Sequence, residues 1–171
     1  MSANKPKALQ DLSTLEILIV TSIRAIGEDL PTLERLEQEF FSLMGRRNGQ
    51  SAFFELCRTA KFLKRYGRRS WRFGQVENRS LTEPERGVLT MIAAHQAGQH
   101  NHAMGIAHWF CTSAIQDEVH KVMHSFAMRL ARTNLRIPLH LPATPTHAEQ
   151  PLYTPIWALK QQAQGANSDV C

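Results

Sequence analysis

The sequence predicts an all-α chain: a compact bundle of five or six helices followed by a proline-rich, extended C-terminal tail. Three observations carry that prediction. Apolar residues recur at spacings of three and four rather than two from Leu15 to Leu130. Cap residues and glycines punctuate the pattern at helix-length intervals. Prolines 138, 142, 145, 151 and 155 then crowd into a stretch where they cannot all lie inside a regular helix. No internal repeat of fixed period appears, which argues against a helical solenoid.

Leu15, Leu18, Ile19, Ser22, Ile23 and Ile26 form one helical stripe, with Ser13 as the cap and Gly27 as the stop. Asp29 and Pro31 open a second helix, whose Leu33, Leu36, Phe40, Phe41 and Leu43 face inward and which ends near Gly45. Its polar face is mostly glutamate. Ser51 is expected to cap a third helix through Phe53, Leu56, Cys57, Ala60 and Leu63, ending at Gly67 after basic residues that suit a helix C-terminus. Residues 68–79 read as an irregular or short extended connection packed by aromatics.

Thr82 followed by Pro84 and Glu85 is a capping box that opens a helix through Val88, Leu89, Ile92 and Ala93 to Gly98. Asn101 is expected to cap a shorter helix carrying Met104, Ala107, Trp109 and Phe110. Ser113 and Gln116 read as a second capping box, opening a long helix with Ile115, Val119, Val122, Met123, Phe126, Ala127 and Leu130 on its apolar face. Arg129, Arg132 and Arg136 sit at its electronegative end.

The resulting organisation is a flexible N-terminus over residues 1–12, a helical domain over 13–136 and a tail over 137–171 that is partly docked. Leu139, Leu141, Leu152, Tyr153, Ile156 and Trp157 make the tail more apolar than a free linker, so it is expected to strap onto the body or to mediate self-association. A chain of 171 residues, 43% apolar and 20% charged, can bury a core without staples. Cys57, Cys111 and Cys171 are odd in number and widely spaced, as in a reduced, cytoplasmic protein. The most apolar run, Leu15 to Ile26, is broken by Glu16 and Arg24 and falls short of the roughly 20 residues a membrane span needs, so no transmembrane segment is expected.

Charge is distributed unevenly. Between Arg46 and Arg79 the chain holds ten Lys or Arg against Glu55 and Glu77, within a total of only +5, so the remainder is net acidic. Arg58, Lys61, Arg65 and Arg68 follow at three, four and three and share one helix face, flanked by Lys64, Arg69 and Arg72. Such a face calls for an anionic partner. The leading reading is a small intracellular binding or regulatory protein that engages an acidic protein or nucleic acid, without catalysis. Arginine forks bind phosphates, and Tyr66, Trp71 or Phe73 can stack on unpaired bases. The face lacks the Asn and Gln side chains that read base edges, so nucleic-acid contacts would be mainly to phosphate. The bland alternative is that Glu34, Glu37 and Glu39 neutralise it within the fold.

Six histidines lie between His95 and His124. Asp117, His120 and His124 are spaced one turn and one turn apart, an arrangement that can offer a carboxylate and two imidazoles to one zinc or iron ion. The paired Glu-x-x-His motifs of a di-iron bundle are missing, and His100 or His102 completes a site only if the intervening loop folds back. The competing reading makes these boundary histidines beside the apolar stripe. Cys57 and Cys111 fall on apolar helix faces and read as core thiols, and no nucleophile occupies a strained, glycine-flanked turn.

The run Ile23-Arg24-Ala25-Ile26-Gly27, the helix with Phe53, Phe54 and Leu56, and Leu81-Thr82-Glu83-Pro84-Glu85 leading into Leu89 together resemble a small, uncharacterised, all-helical bacterial family over roughly Leu15 to Leu135. Members of that family carry a cysteine cluster just ahead of the Thr-Glu helix start. This chain has Gln75-Val76-Glu77-Asn78 there, so the resemblance implies the helical fold and no shared metal or redox role.

Overall fold

The computed structural model describes residues 8–26, 30–68, 73–75 and 78–139, and within them the chain forms six α-helices and no strand. They are α1 (Thr14–Arg24), α2 (Leu30–Met44), α3 (Arg46–Tyr66), α4 (Glu83–Gln96), α5 (His100–Phe110) and α6 (Ser113–Arg132). None is long and apolar enough to cross a membrane. A short 3₁₀ turn at Leu9–Asp11 precedes α1, with the Leu9 amide bonded to the Arg79 carbonyl and Leu12 buried, so the ordered body reaches back ahead of residue 13.

The Ser13 cap and the Thr82–Glu85 box form as the sequence predicts, and Glu16 makes the first of them reciprocal as well. At α1 the Glu16 carboxylate accepts from the Ser13 amide at 2.9 Å while Ser13 Oγ accepts from the Glu16 amide at 3.3 Å. At α4 the Glu85 carboxylate accepts from the Thr82 amide at 2.8 Å. Three other predicted caps are corrected. Ser51 lies inside α3 and donates to the Arg47 carbonyl, because Gly45, at φ 75°, reverses the chain in one residue and lets α3 start at Arg46. Asn101 lies inside α5, which starts at His100 after Gln99. Ser113 is the first residue of α6 after Thr112, and Gln116 donates to the Cys111 carbonyl at 3.2 Å instead of closing a box.

α3 is the longest helix and packs against α2, α6 and α1, while α4 packs against α5, α6 and α1. The α2–α3 hairpin is tight: a Cβ on Gly49 would lie 2.6 Å from the Phe40 carbonyl carbon and oxygen. Phe40 fills the junction, with its ring 5.8 Å from Phe53 and 6.4 Å from Phe126. Ile19, Ile23, Leu56, Leu63, Met91, Ile92, Met123 and Leu130 complete a core that excludes solvent.

Two polar devices tie the periphery to this core. Arg24 and Glu85 form a buried ion pair, and the same guanidinium donates to the carbonyls of Gln75, Asn78 and Ser80, closing the connection ahead of α4. Gln96 donates to the Ala127 and Leu135 carbonyls and accepts from the Ile137 amide at 2.8 Å, pinning the first residues after α6. Ile137 is buried there, and the remainder of the predicted tail, 140–171, lies outside the described residues.

Candidate metal centre

α4 runs its buried face through Val88, Ile92 and His95, so the helical repeat that places two aliphatic residues in the core places an imidazole there as well. Gly98 then takes a left-handed conformation, φ 72°, and the Gly98 and Gln99 amides bond to the carbonyls of His95 and Ala94. This is a Schellman closure, which only a residue tolerant of positive φ makes without strain. It turns the chain so that His100, the first residue of α5, comes back beside His95. α6 packs along α4 and contributes His120 and His124 from adjacent turns.

The outcome is four imidazoles in one place. The His95 ring centroid lies 4.7 Å from His120, 5.1 Å from His124 and 6.0 Å from His100, and His100 lies 5.3 Å from His124. His95 Nδ1 is 3.4 Å from His124 Nδ1. One ring nitrogen each from His95, His100 and His124 falls within a mutual 4.8 Å. Nitrogens bound at zinc distances around a tetrahedral ion stand about 3.4 Å apart, so the His95–His124 pair already has the required separation.

His95 is 1% exposed, yet its Nε2 has no hydrogen-bond partner, and His120 Nδ1 is likewise buried and unpartnered. The His95 nitrogen that faces His124 is Nδ1, so Nδ1 is the atom placed to share an ion with His124, and Nε2 lies on the far side of the ring. Burial, followed by the neighbouring His120, His124 and His100, pushes the His95 pKa down to about 3, and burial with His124 and His100 lowers His120 as well. His95 is therefore neutral at physiological pH, the state in which an imidazole ligates.

Of the sequence-predicted donors, His124 joins the triad and His120 lies against His95, whereas Asp117 is exposed one turn further out on α6. His100, named from the sequence on condition that the loop folds back, joins the set, and His95 completes it. The sequence signal for His95 is its place on the apolar stripe of α4, and that for His100 is the Gly98 turn just before it.

The basic face of α3 is partly consumed by the fold. Arg58 pairs with Glu118 of α6 at 2.6 Å, Lys64 donates to the Ile26 carbonyl and Arg68 donates to the Cys111 carbonyl. Glu55 pairs with Arg129 of α6, so the ion pairs of α3 run to α6 and not to Glu34, Glu37 or Glu39. Lys61 and Arg65 make no ion pair among the described residues, and Arg65 lies over the Tyr66 ring at 5.3 Å. Phe73 packs against the core under Lys64, while Arg69, Trp71 and Arg72 lie outside the described residues. Burial pushes the Cys57 and Cys111 thiols up to about 11, which leaves both protonated and unreactive.

Compared with known proteins, the chain matches no family model, no curated protein and no solved structure.

Proposed function

We propose that this protein binds a divalent transition-metal ion through His95, His100 and His124, with His120 available as a fourth donor. The observation that carries the reading is the convergence of three imidazole nitrogens within 4.8 Å from three helices, two of them on opposite sides of a glycine turn. The donor set favours zinc. Imidazole alone suits a borderline ion, whereas the non-haem iron triad includes a carboxylate that this cluster lacks. Bound there, the ion would staple the α4–α5 turn to α6. A cytoplasmic location goes with this reading, supported by the free thiols at Cys57 and Cys111.

Untagged protein, purified without chelator, tests it by elemental analysis. About one zinc per chain, lost in His100→Ala, is the expected result. An apoprotein that takes up no zinc and melts at the same temperature with and without it would overturn the reading.

A second reading rests on Lys61 and Arg65, which lie between the exposed rings of Phe54 and Tyr66 on the outer face of α3. We infer that this face docks an anionic partner, and that an acidic protein segment fits it better than nucleic acid. Among the described residues of the 58–68 stripe, Lys61 and Arg65 are the cations left unpaired, and affinity for nucleic acid scales with the number of phosphates neutralised. Titration against labelled single-stranded and duplex nucleic acid at two salt concentrations separates the cases. Tight binding that collapses with salt would show that phosphates are the partner and sink the preference for protein.

A further inference from the structure

A cleft beside α5 has no role in the metal centre. It encloses about 400 Å³ between α4 and α5, lined by Glu83, Arg86, Thr90, His102, Ile106 and Trp109 over a floor of Gly87 and Gly105. That volume is within the range of small-molecule sites.

Its two glycines differ in kind. A Cβ on Gly87 would sit 2.1 Å from the Phe110 ring, so Gly87 is required by packing within the protein. A Cβ on Gly105 would meet nothing within 4 Å. Glycine inside a helix costs about 1 kcal/mol relative to alanine, and nothing among the described residues demands it at Gly105. What the glycine does is leave the cleft open next to Trp109, a residue that is 49% exposed.

The polar end of the cleft is set by Arg86. Its buried Nε is the atom that faces Glu83, at 3.5 Å, too long for a good hydrogen bond, and the Glu83 carboxylate is more than half exposed. A guanidinium so placed offers its fork to an incoming carboxylate, which would replace the loose contact with Glu83. Trp109 and Ile106 supply an apolar wall, and Asn101 and His102 add hydrogen-bonding groups at the rim. One cation and no second positive group but a histidine suit a monoanion better than a phosphate.

We propose that the α4–α5 cleft is a binding site for a small aromatic carboxylate, held by Arg86 at its charged end and by Trp109 against its ring. The site is independent of the metal reading.

The test is titration of the full chain with 1-naphthoate, followed by tryptophan fluorescence and by amide NMR shifts in α4 and α5, with 1-naphthamide as the neutral control. Expected are saturable binding, about tenfold weaker binding of the amide and of Arg86→Gln, and loss of binding in Gly105→Leu. Gly105→Leu adds its side chain to open space, and Gly105→Ala, which strengthens the helix, confirms by an unchanged or higher melting temperature that the position tolerates substitution. Shifts that do not saturate, or equal affinity in Arg86→Gln, would overturn the proposal. So would binding that disappears when the protein is stripped of metal with EDTA, because the carboxylate would then be held at the histidine centre.

Discussion

Arg24 and Glu85, 61 residues apart, meet in a fork from which water is excluded: Nε donates to Oε1 at 2.7 Å and Nη2 to Oε2 at 2.8 Å. Glu85 is also the capping-box acid of α4 and accepts from the Gly74 amide, so one carboxylate joins α1, the start of α4 and the connection from α3. Removing one partner leaves a buried charge without compensation. Arg24→Met is expected to destabilise the protein by about 3–5 kcal/mol in urea unfolding, and a double variant with Glu85→Gln to recover part of that loss. A loss below about 1 kcal/mol would show that the pair is as weak as a surface bridge.

The same carboxylate sets an acid limit. Burial alone would raise the Glu85 pKa, but the Arg24 hydrogen bonds, the Thr82 and Gly74 amides and the guanidinium charge bring it below the ordinary value of 4.5. With the folded value depressed, the unfolded state binds the proton first, so this stabilisation is present above about pH 4.5 and is lost as the pH falls through the folded value. Unfolding free energies measured from pH 7 to pH 3 should decline below that point, and the decline should be shallower in Glu85→Gln. Parallel curves would assign the acid loss to other groups.

Gly49 carries the α2–α3 hairpin. Gly49→Ala forces a methyl into the Phe40 backbone, which neither helix can yield without losing the Phe40 ring contacts, and should cost about 1–3 kcal/mol despite alanine's better helix propensity. A gain in melting temperature would mean that the hairpin opens freely.

Zinc should stabilise the fold measurably. At a hundredfold excess over its Kd the ion contributes about 2.7 kcal/mol. For a chain of this size that raises Tm by roughly 5–10 °C. His100 is exposed, so His100→Ala should leave the apoprotein's Tm unchanged and remove most of the zinc-dependent rise. A variant that still shows the full rise would remove His100 from the ligand set.

Gln96 is the anchor of the segment after α6. Gln96→Ala deletes its bonds to the Ala127 and Leu135 carbonyls and to the Ile137 amide, and should cost about 1–3 kcal/mol with faster hydrogen exchange at Ile137. Unchanged exchange there would show that burial of Ile137 suffices.

The sequence by itself determined the helical class, the apolar faces, the Ser13 cap and the Thr82–Glu85 box, because each depends on residues within one turn of one another. The tertiary structure decided the rest. Ser51 and Ser113 have the chemistry of caps, yet a one-residue reversal at Gly45 and the chain's course at Thr112 place them inside helices, where their side chains start nothing. His120 and His124 were visible as an i, i+4 pair, but their companions His95 and His100 arrive only through the Gly98 closure and the packing of α4 on α6. The cationic stripe of α3 was legible as spacing, while its division into paired and unpaired members depended on Glu118 and on the carbonyls of Ile26 and Cys111. Periodicity reports which face of an element is buried. Which side chains meet across elements is set by three-dimensional packing, to which local spacing is blind.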